Sequence, residues 1–215
     1  LKSNFAFSGS LGFRGAKEGY IPGTAMQAIS AYFSVSKMWS QRFNTTLSAF
    51  YVDNKRAVAG AVIREFSELA GSNFYNPHWG YQNGEKRSSN IRRDNVPLIT
   101  LSGDFKPSNS THINGSLGFQ FGKRYQERLD WYNSYNPNPT YYRNAPSFYD
   151  DEPDVSAEIF NAIKANPNLL QVDWNGFYEA NRSNRESVPT KGETGNWARY
   201  IMNKEVSDVK SGSAN

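Results

Sequence analysis

Cysteine is absent from the 215 residues, so neither a disulfide nor a thiolate metal site is available to this chain. Histidine is nearly absent too. His78 and His112 are the only 2, and neither stands at ligand-type spacing to a carboxylate, which leaves no metal centre or catalytic triad to build. No apolar run approaches the roughly 18–20 residues of a membrane helix; this excludes helical spans and says nothing against strands that cross a bilayer. Neither sign of charge is concentrated. The net charge is +4 and the pI near 9.2, but the basic residues are scattered in groups no larger than Lys86 with Arg87 or Arg92 with Arg93. Nucleic acid is therefore not expected as a partner.

What the chain does have is aromatic side chains, 15% of residues, at a mean hydropathy of −0.71. That combination fits a loop-rich folded chain and not a disordered one, which would lack aromatics. Alternating apolar and polar residues predict strands over about 4–14, 28–38, 43–54, 96–106 and 112–123, and less clearly over 197–209. In the first, Phe5, Phe7, Gly9, Leu11 and Phe13 share one face, and Ala6, Ser8, Ser10 and Gly12 the other. Short turns join the second to the third run and the fourth to the fifth. The other connections are long, at 15–27, 55–95 and 124–196. In an up-and-down antiparallel sheet, every second connection falls at the same end, so the long loops collect on one rim.

This pattern predicts an all-β fold, an antiparallel up-and-down transmembrane β-barrel segment of about six strands with long extracellular loops. Residues 1–215 read as part of that single barrel domain. The predicted polar face is Ser, Thr, Asn and Gly, as in a wet lumen, with few of the Lys and Glu of a solvent face. The runs exceed the usual soluble strand of about 5–6 residues and match the roughly 9–11 that cross a bilayer. Phe13, Trp39, Phe43, Phe105 and Phe121 sit near strand ends, where an interfacial girdle would lie. A soluble carbohydrate-binding β-sandwich is the alternative, since it also has one apolar and one polar face. Six strands cannot close a bacterial barrel, which needs about eight. Leu1 is not an initiator Met, and 210–215 reads as a turn; both ends read as interior to a longer protein.

The long loops carry the recognition chemistry. Asn83 and Gly84 suit a tight type I′ turn. Around them stand Tyr75, Trp79 and Tyr81, and the last loop adds Trp131, Tyr132, Tyr141 and Tyr142. Flat apolar rings among amides suit sugar or peptide binding; packing of the loops on one another is the other use for them. Val155, Ile159, Phe160 and Ile163 predict one short helix, with Asp154 as N-cap and a stop at Asn166–Pro167. Its apolar face is expected to pack on Trp174, Phe177 and Tyr178 as a lid-like subdomain. Arg182, Arg185 and Lys191 read as a solvated basic stretch. Asp150, Asp151, Glu152 and Asp154 read as a solvated approach that complements the helix N-terminus, with calcium as an alternative.

Two loop segments carry a family resemblance. Phe74 to Gly84 (FYNPHWGYQNG) with Lys86 and Arg87 is the first. The second runs from Asp130, Trp131, Tyr132 and Asn133 through Pro137, Pro139, Tyr141, Tyr142 and Arg143 to Pro146 and Tyr149. They resemble extracellular loops of TonB-dependent outer-membrane receptors of the Bacteroidetes type. The resemblance implies a barrel of about 22 strands in the cell outer membrane, in contact with outer-membrane lipid and plugged by an N-terminal domain. It implies import of a large nutrient ligand (oligosaccharide, peptide or metal chelate) with energy relayed by TonB, and in one branch a surface lipoprotein lid. It implies no cofactor and no enzyme activity: binding and gating replace covalent chemistry. The plug and the TonB-contacting segment are not in this sequence.

Overall fold

The computed structural model describes residues 4–184, 187–190 and 193–215. In chain order the elements are β1 (Phe5–Ala16), β2 (Met26–Ser40), β3 (Phe43–Ala57), α1 (Arg64–Ala70), β4 (Trp79–Gln82), β5 (Glu85–Ser88), β6 (Asn90–Asn95) and β7 (Leu98–Phe105). There follow β8 (Ile113–Trp131), α2 (Pro153–Ala165), α3 (Trp174–Ser183), β9 (Ser187–Thr190), β10 (Glu193–Asn196) and β11 (Tyr200–Ala214).

One large antiparallel sheet runs β1-β2-β3-β6-β8-β11, with β7 also between β3 and β8. Strands β6 and β7 are one interrupted strand. Asn95 pairs with Asp53 and Leu98 with Phe50, so the register continues unchanged across Val96 and Pro97. Proline has no amide hydrogen to give the ladder, and opposite the break, in β8, stands Gly122, with φ +136°. A Cβ at Gly122 would stand 2.2 Å from the carbonyl oxygen of Asn95, so only glycine fits there. Edge strands β1 and β11 are each paired on one side only among the described strands.

The register puts most apolar residues of the alternating runs on one face, with Tyr32, Phe50 and Leu98 on the other. One row across the strands reads Val35, Leu47, Leu101 and Leu117; the next reads Phe33, Ala49, Ile99 and Phe119. This apolar face is the open one. Leu11 is 88% exposed and Phe13 71%, whereas Ser34 and Ser48 on the other face are 7% and 8% exposed. The polar face is the more covered one. There Ser8 and Ser34 hydroxyls meet at 3.3 Å, Ser36 and Thr46 at 2.8 Å, and the Tyr32 and Phe50 rings at 4.7 Å. A soluble half-buried sheet has the opposite polarity, apolar inside and polar outside.

The apolar face is also bounded. From Phe43 to Tyr51, at about 3.4 Å per residue and a tilt of about 40°, it stands roughly 21 Å tall. Above it, toward the long loops, the same face turns to charge on β3, β6, β8 and β11. Arg93 Nε donates to Asp53 Oδ1 at 2.7 Å, Lys123 faces Asp208 at 3.9 Å, and Lys204 faces Glu127 at 3.8 Å. Below it lies an aromatic row: Trp39 and Phe43 rings are 6.5 Å apart, Phe43 and Phe105 6.1 Å, and Lys37 Nζ sits 3.7 Å over Trp39.

The buried apolar core is in the loops. Phe66, Tyr75, Ala145, Ile163 and Leu170 pack together, with Val62, Leu69 and Ile159 around them. Three connections, 17–25, 58–89 and 132–199, meet at the same end of the sheet, as the alternation of short and long connections predicts. Only Gln41 and Arg42 join β2 to β3 at the other end. Helix α1 ends in a Schellman turn: Gly71, at φ +65°, donates to the carbonyl of Glu68, and Ser72 to that of Ser67.

Several expectations are corrected here. The strands run beyond the predicted limits: β3 to Ala57, β8 to Trp131 and β11 to Ala214, while Asn90–Asn95 inside the predicted 55–95 loop is a ladder strand. The loops hold α1, α2 and α3, not one short helix. Helix α2 starts at Pro153, which suits the first helical position, so Asp154 lies inside the first turn and is not the N-cap. Its apolar face packs on Phe66 and Leu170 and not on Trp174, Phe177 and Tyr178, which serve α3 instead. Phe177 stacks on Tyr200 at 4.4 Å, and the indole N–H of Trp174 donates to the Arg87 carbonyl. Arg182 lies 3.7 Å from Glu179; Arg185 and Lys191 fall outside the described residues.

Candidate functional site

The loop cap is a built structure with an exposed aromatic surface. Asn83 and Gly84 take φ +51° and +82° in the two-residue turn between β4 and β5, as their sequence predicts. That hairpin is fastened from three sides. Gly80 lies flat on the 170s segment, where a Cβ would stand 1.9 Å from the Val172 carbonyl oxygen. The Val172 amide donates to the Trp79 carbonyl at 3.0 Å. Gly23, at φ +74°, lies beneath the Trp79 indole. Asn76, 1% exposed, donates to the Pro22 carbonyl at 2.9 Å and accepts from the His78 amide at 3.1 Å, which ties in the first loop.

The predicted ligand residues divide by exposure. Tyr75 and Trp79 are inside, at 9% and 8% exposure. The Tyr75 hydroxyl donates to the Leu170 carbonyl at 2.5 Å, and burial pushes its pKa well above the ordinary range. Trp79 carries Lys86 Nζ at 4.6 Å from its ring, and Lys86 in turn pairs with Glu18 at 2.6 Å. The lysine and the Gly23 amide hold the Glu18 carboxyl below its usual pKa. Tyr81, Trp131, Tyr132 and Tyr142 are exposed. They form separate groups: Tyr81 edges onto Trp79 at 5.4 Å, Tyr132 meets Trp197 at 4.1 Å, and Tyr141, Tyr142 and Phe148 chain at 4.6 and 5.1 Å. No ring contact joins these groups to one another among the described residues.

Between the cap and the open end of the sheet lies a cleft of about 520 Å³, a size typical of small-ligand sites. Val58–Ala61, His78, Ser89, Asn90, Arg92, Arg128, Trp131 and the 136–139 loop line it. The 136–139 loop is set by its own asparagines: Asn136 Oδ1 accepts from the Asn138 amide at 2.9 Å, and Asn138 Oδ1 from Thr140 at 3.1 Å. His78 packs against Gly60, where a Cβ would meet its Nε2. Burial first, and the neighbouring Arg128 charge second, lower its pKa below 6.5.

That shift has a sign for stability. Above pH 6.5, His78 is neutral whether the cap is folded or not. Below it the unfolded chain binds a proton that folded His78 resists, so stability falls as pH drops toward the lowered folded pKa. The loss is at most about 1.4 kcal/mol per pH unit, one proton's worth. Urea unfolding at pH 7 and pH 5 is expected to show it, and His78→Gln to flatten the slope.

Sequence reasoning missed Asn90, Arg92 and Arg128. Their signal was the period of two, which continues on the polar face through Asn90, Arg92 and Asp94 and through Arg124, Gln126 and Arg128, with charged and amide residues in place of Ser, Thr and Gly. Asp104 and His112 also come together across β7 and β8, at 3.2 Å, although neither spacing nor motif announced it. Among the described residues no group of three or more His, Cys, Asp or Glu could hold a metal ion. No protein-family model matches the chain, and neither curated proteins nor solved structures give a match.

Proposed function

We propose that this chain is part of an outer-membrane β-barrel receptor that binds a large nutrient at its loop rim and imports it with TonB-relayed energy. One observation carries the reading: the outward sheet face is apolar over a band of roughly 21 Å, close to the roughly 25 Å apolar band of outer-membrane barrels, and gives way on β3, β6, β8 and β11 to ion-paired charge. In water such a face is a large exposed apolar patch; in lipid it is the required surface. Further strands beside β1 and β11 complete the barrel, because open strand edges are not tolerated in hydrocarbon. The nutrient class comes from the resemblance of the loops to TonB-dependent receptors, and the surface lipoprotein lid stays an optional partner.

Within this reading Tyr75 and Trp79 hold the cap together, and the exposed Tyr81, Trp131, Tyr132 and Tyr142, with the half-buried Tyr141, meet ligand or lid. Replacing Tyr141 and Tyr142 together by Ala is expected to weaken nutrient capture by cells carrying the receptor while its membrane assembly stays intact. Loss of assembly would assign those rings to packing. A chain that is monomeric and melts cooperatively in detergent-free buffer would instead favour the soluble carbohydrate-binding module.

A further inference from the structure

The inner, polar face of the sheet changes character beneath the cap. Reading across the register, one row is Arg14, Ala28, Asn54, Asp94, Arg124 and Ser207. The next is Ala16, Met26, Arg56, Arg92, Gln126 and Glu205, and the last is Asn90, Arg128 and Asn203. Five arginines thus share these three rows with Asp94 and Glu205; Asp130, next on the same face of β8, accepts from Asn203 Nδ2 at 3.4 Å. Asp94 is already shared: Arg56 reaches it at 3.8 Å and Arg124 at 3.6 Å. Arg92 and Arg128 are the pair that line the cleft, and no carboxylate lines it with them.

We infer that this cleft is a binding site for the carboxylate of an acidic saccharide, of the uronate type; the inference rests on the receptor reading above and names its ligand class. Guanidinium groups bind carboxylates in bidentate fashion, with direction as well as charge. The remaining lining suits a sugar ring. Ser89 supplies a hydroxyl. Asn90 lines the same cleft, and its buried Oδ1 has no hydrogen-bond partner among the described residues, so it is an acceptor for a sugar hydroxyl. Neutral His78 adds a donor or acceptor without a second buried charge. Trp131, half-exposed, offers an apolar surface to the C–H face of a pyranose. A neutral glycan would leave two guanidinium groups uncompensated, and a free inorganic anion would leave the amides and the indole unused.

The test uses the receptor that contains this chain, purified in detergent micelles and titrated calorimetrically with trigalacturonic acid, a neutral galactose trisaccharide and a sulfated trisaccharide. The uronate is expected to bind at least about tenfold more tightly than the neutral sugar, as charge-assisted hydrogen bonds allow, and to weaken with added salt. Arg92→Gln and Arg128→Gln are each expected to remove most of that preference, while Arg64→Gln, on the exposed side of α1, keeps it. Circular dichroism of each variant controls for folding. Equal binding of acid and neutral sugars, preference for the sulfated one, or a double arginine variant that binds uronate unchanged would overturn the assignment. None of these results touches the membrane reading, which is tested by lipid contact.

Discussion

Replacing Leu101 by Arg is expected to cost about 2–4 kcal/mol when the receptor that contains this chain is folded in a bilayer. Leu101 lies mid-band, paired with Leu47 on one side and Leu117 on the other, and is 47% exposed. In lipid, an arginine there must be dragged toward the interface or desolvated. In water the same change would sit within about 0.5 kcal/mol, as exposed substitutions do, and would improve solubility by breaking an apolar patch. The two environments therefore give different magnitudes for one mutation. Ser102→Lys, one residue on and facing the polar side, is the matched control. Its cost in the bilayer is expected to be small, because a wet lumen hydrates the ammonium. Urea unfolding in liposomes reads both.

Phe66→Ala is expected to have the second large effect, about 3–5 kcal/mol, confined to the cap. Phe66 is fully buried and is the centre of the cluster with Tyr75, Ile163 and Leu170. Its loss leaves a cavity where α1, α2 and the 170s segment converge, and the Tyr75 hydroxyl bond to Leu170 spans the same space. The sheet has a separate source of stability in its ladders, so the expected picture is partial. Protease sites in the 140–170 region open, while the strand signal in circular dichroism stays. If cap and sheet unfold at the same urea concentration, they form one cooperative unit and this division fails.

The fold was legible in the sequence where side-chain chemistry alternated. Phe5 to Phe13, Ile29 to Val35 and Ile113 to Phe121 announce their faces because lipid or core on one side and water on the other demand opposite residues at successive positions. Reading stopped at Asn54 and Lys123 because above that level both faces of the strands are wet. Lys55 and Arg56, or Glu127 and Arg128, then differ in direction but not in polarity, and nothing in composition marks the strand's end. The cap was legible in its parts, at the Asn83–Gly84 turn and the Asn166–Pro167 stop. Its assembly was not, since which apolar face meets which is decided by long-range packing: Ile163 could have met Trp174 but meets Phe66. The aromatic residues show the same limit. Tyr75 and Tyr81 stand in one motif, and only tertiary context puts one in the core and the other on the surface. The arginine pair of the cleft needed register as well, because Arg92 and Arg128 become neighbours in the cleft only through the pairing of β6 with β8.

The central claim is that the apolar face meets lipid, and the absence of cysteine makes its test clean. Single cysteines, Leu101→Cys, Ser102→Cys, Leu117→Cys, Ser116→Cys and Lys123→Cys, carry a nitroxide label in the receptor reconstituted in liposomes, and collision rates with oxygen and with a water-soluble nickel complex are measured by electron spin resonance. The expected result is alternation: oxygen dominates at 101 and 117, nickel at 102 and 116, and nickel takes over on the outward face at Lys123→Cys. High nickel accessibility at 101 and 117 would mean that water covers the apolar face, and the barrel reading would be contradicted.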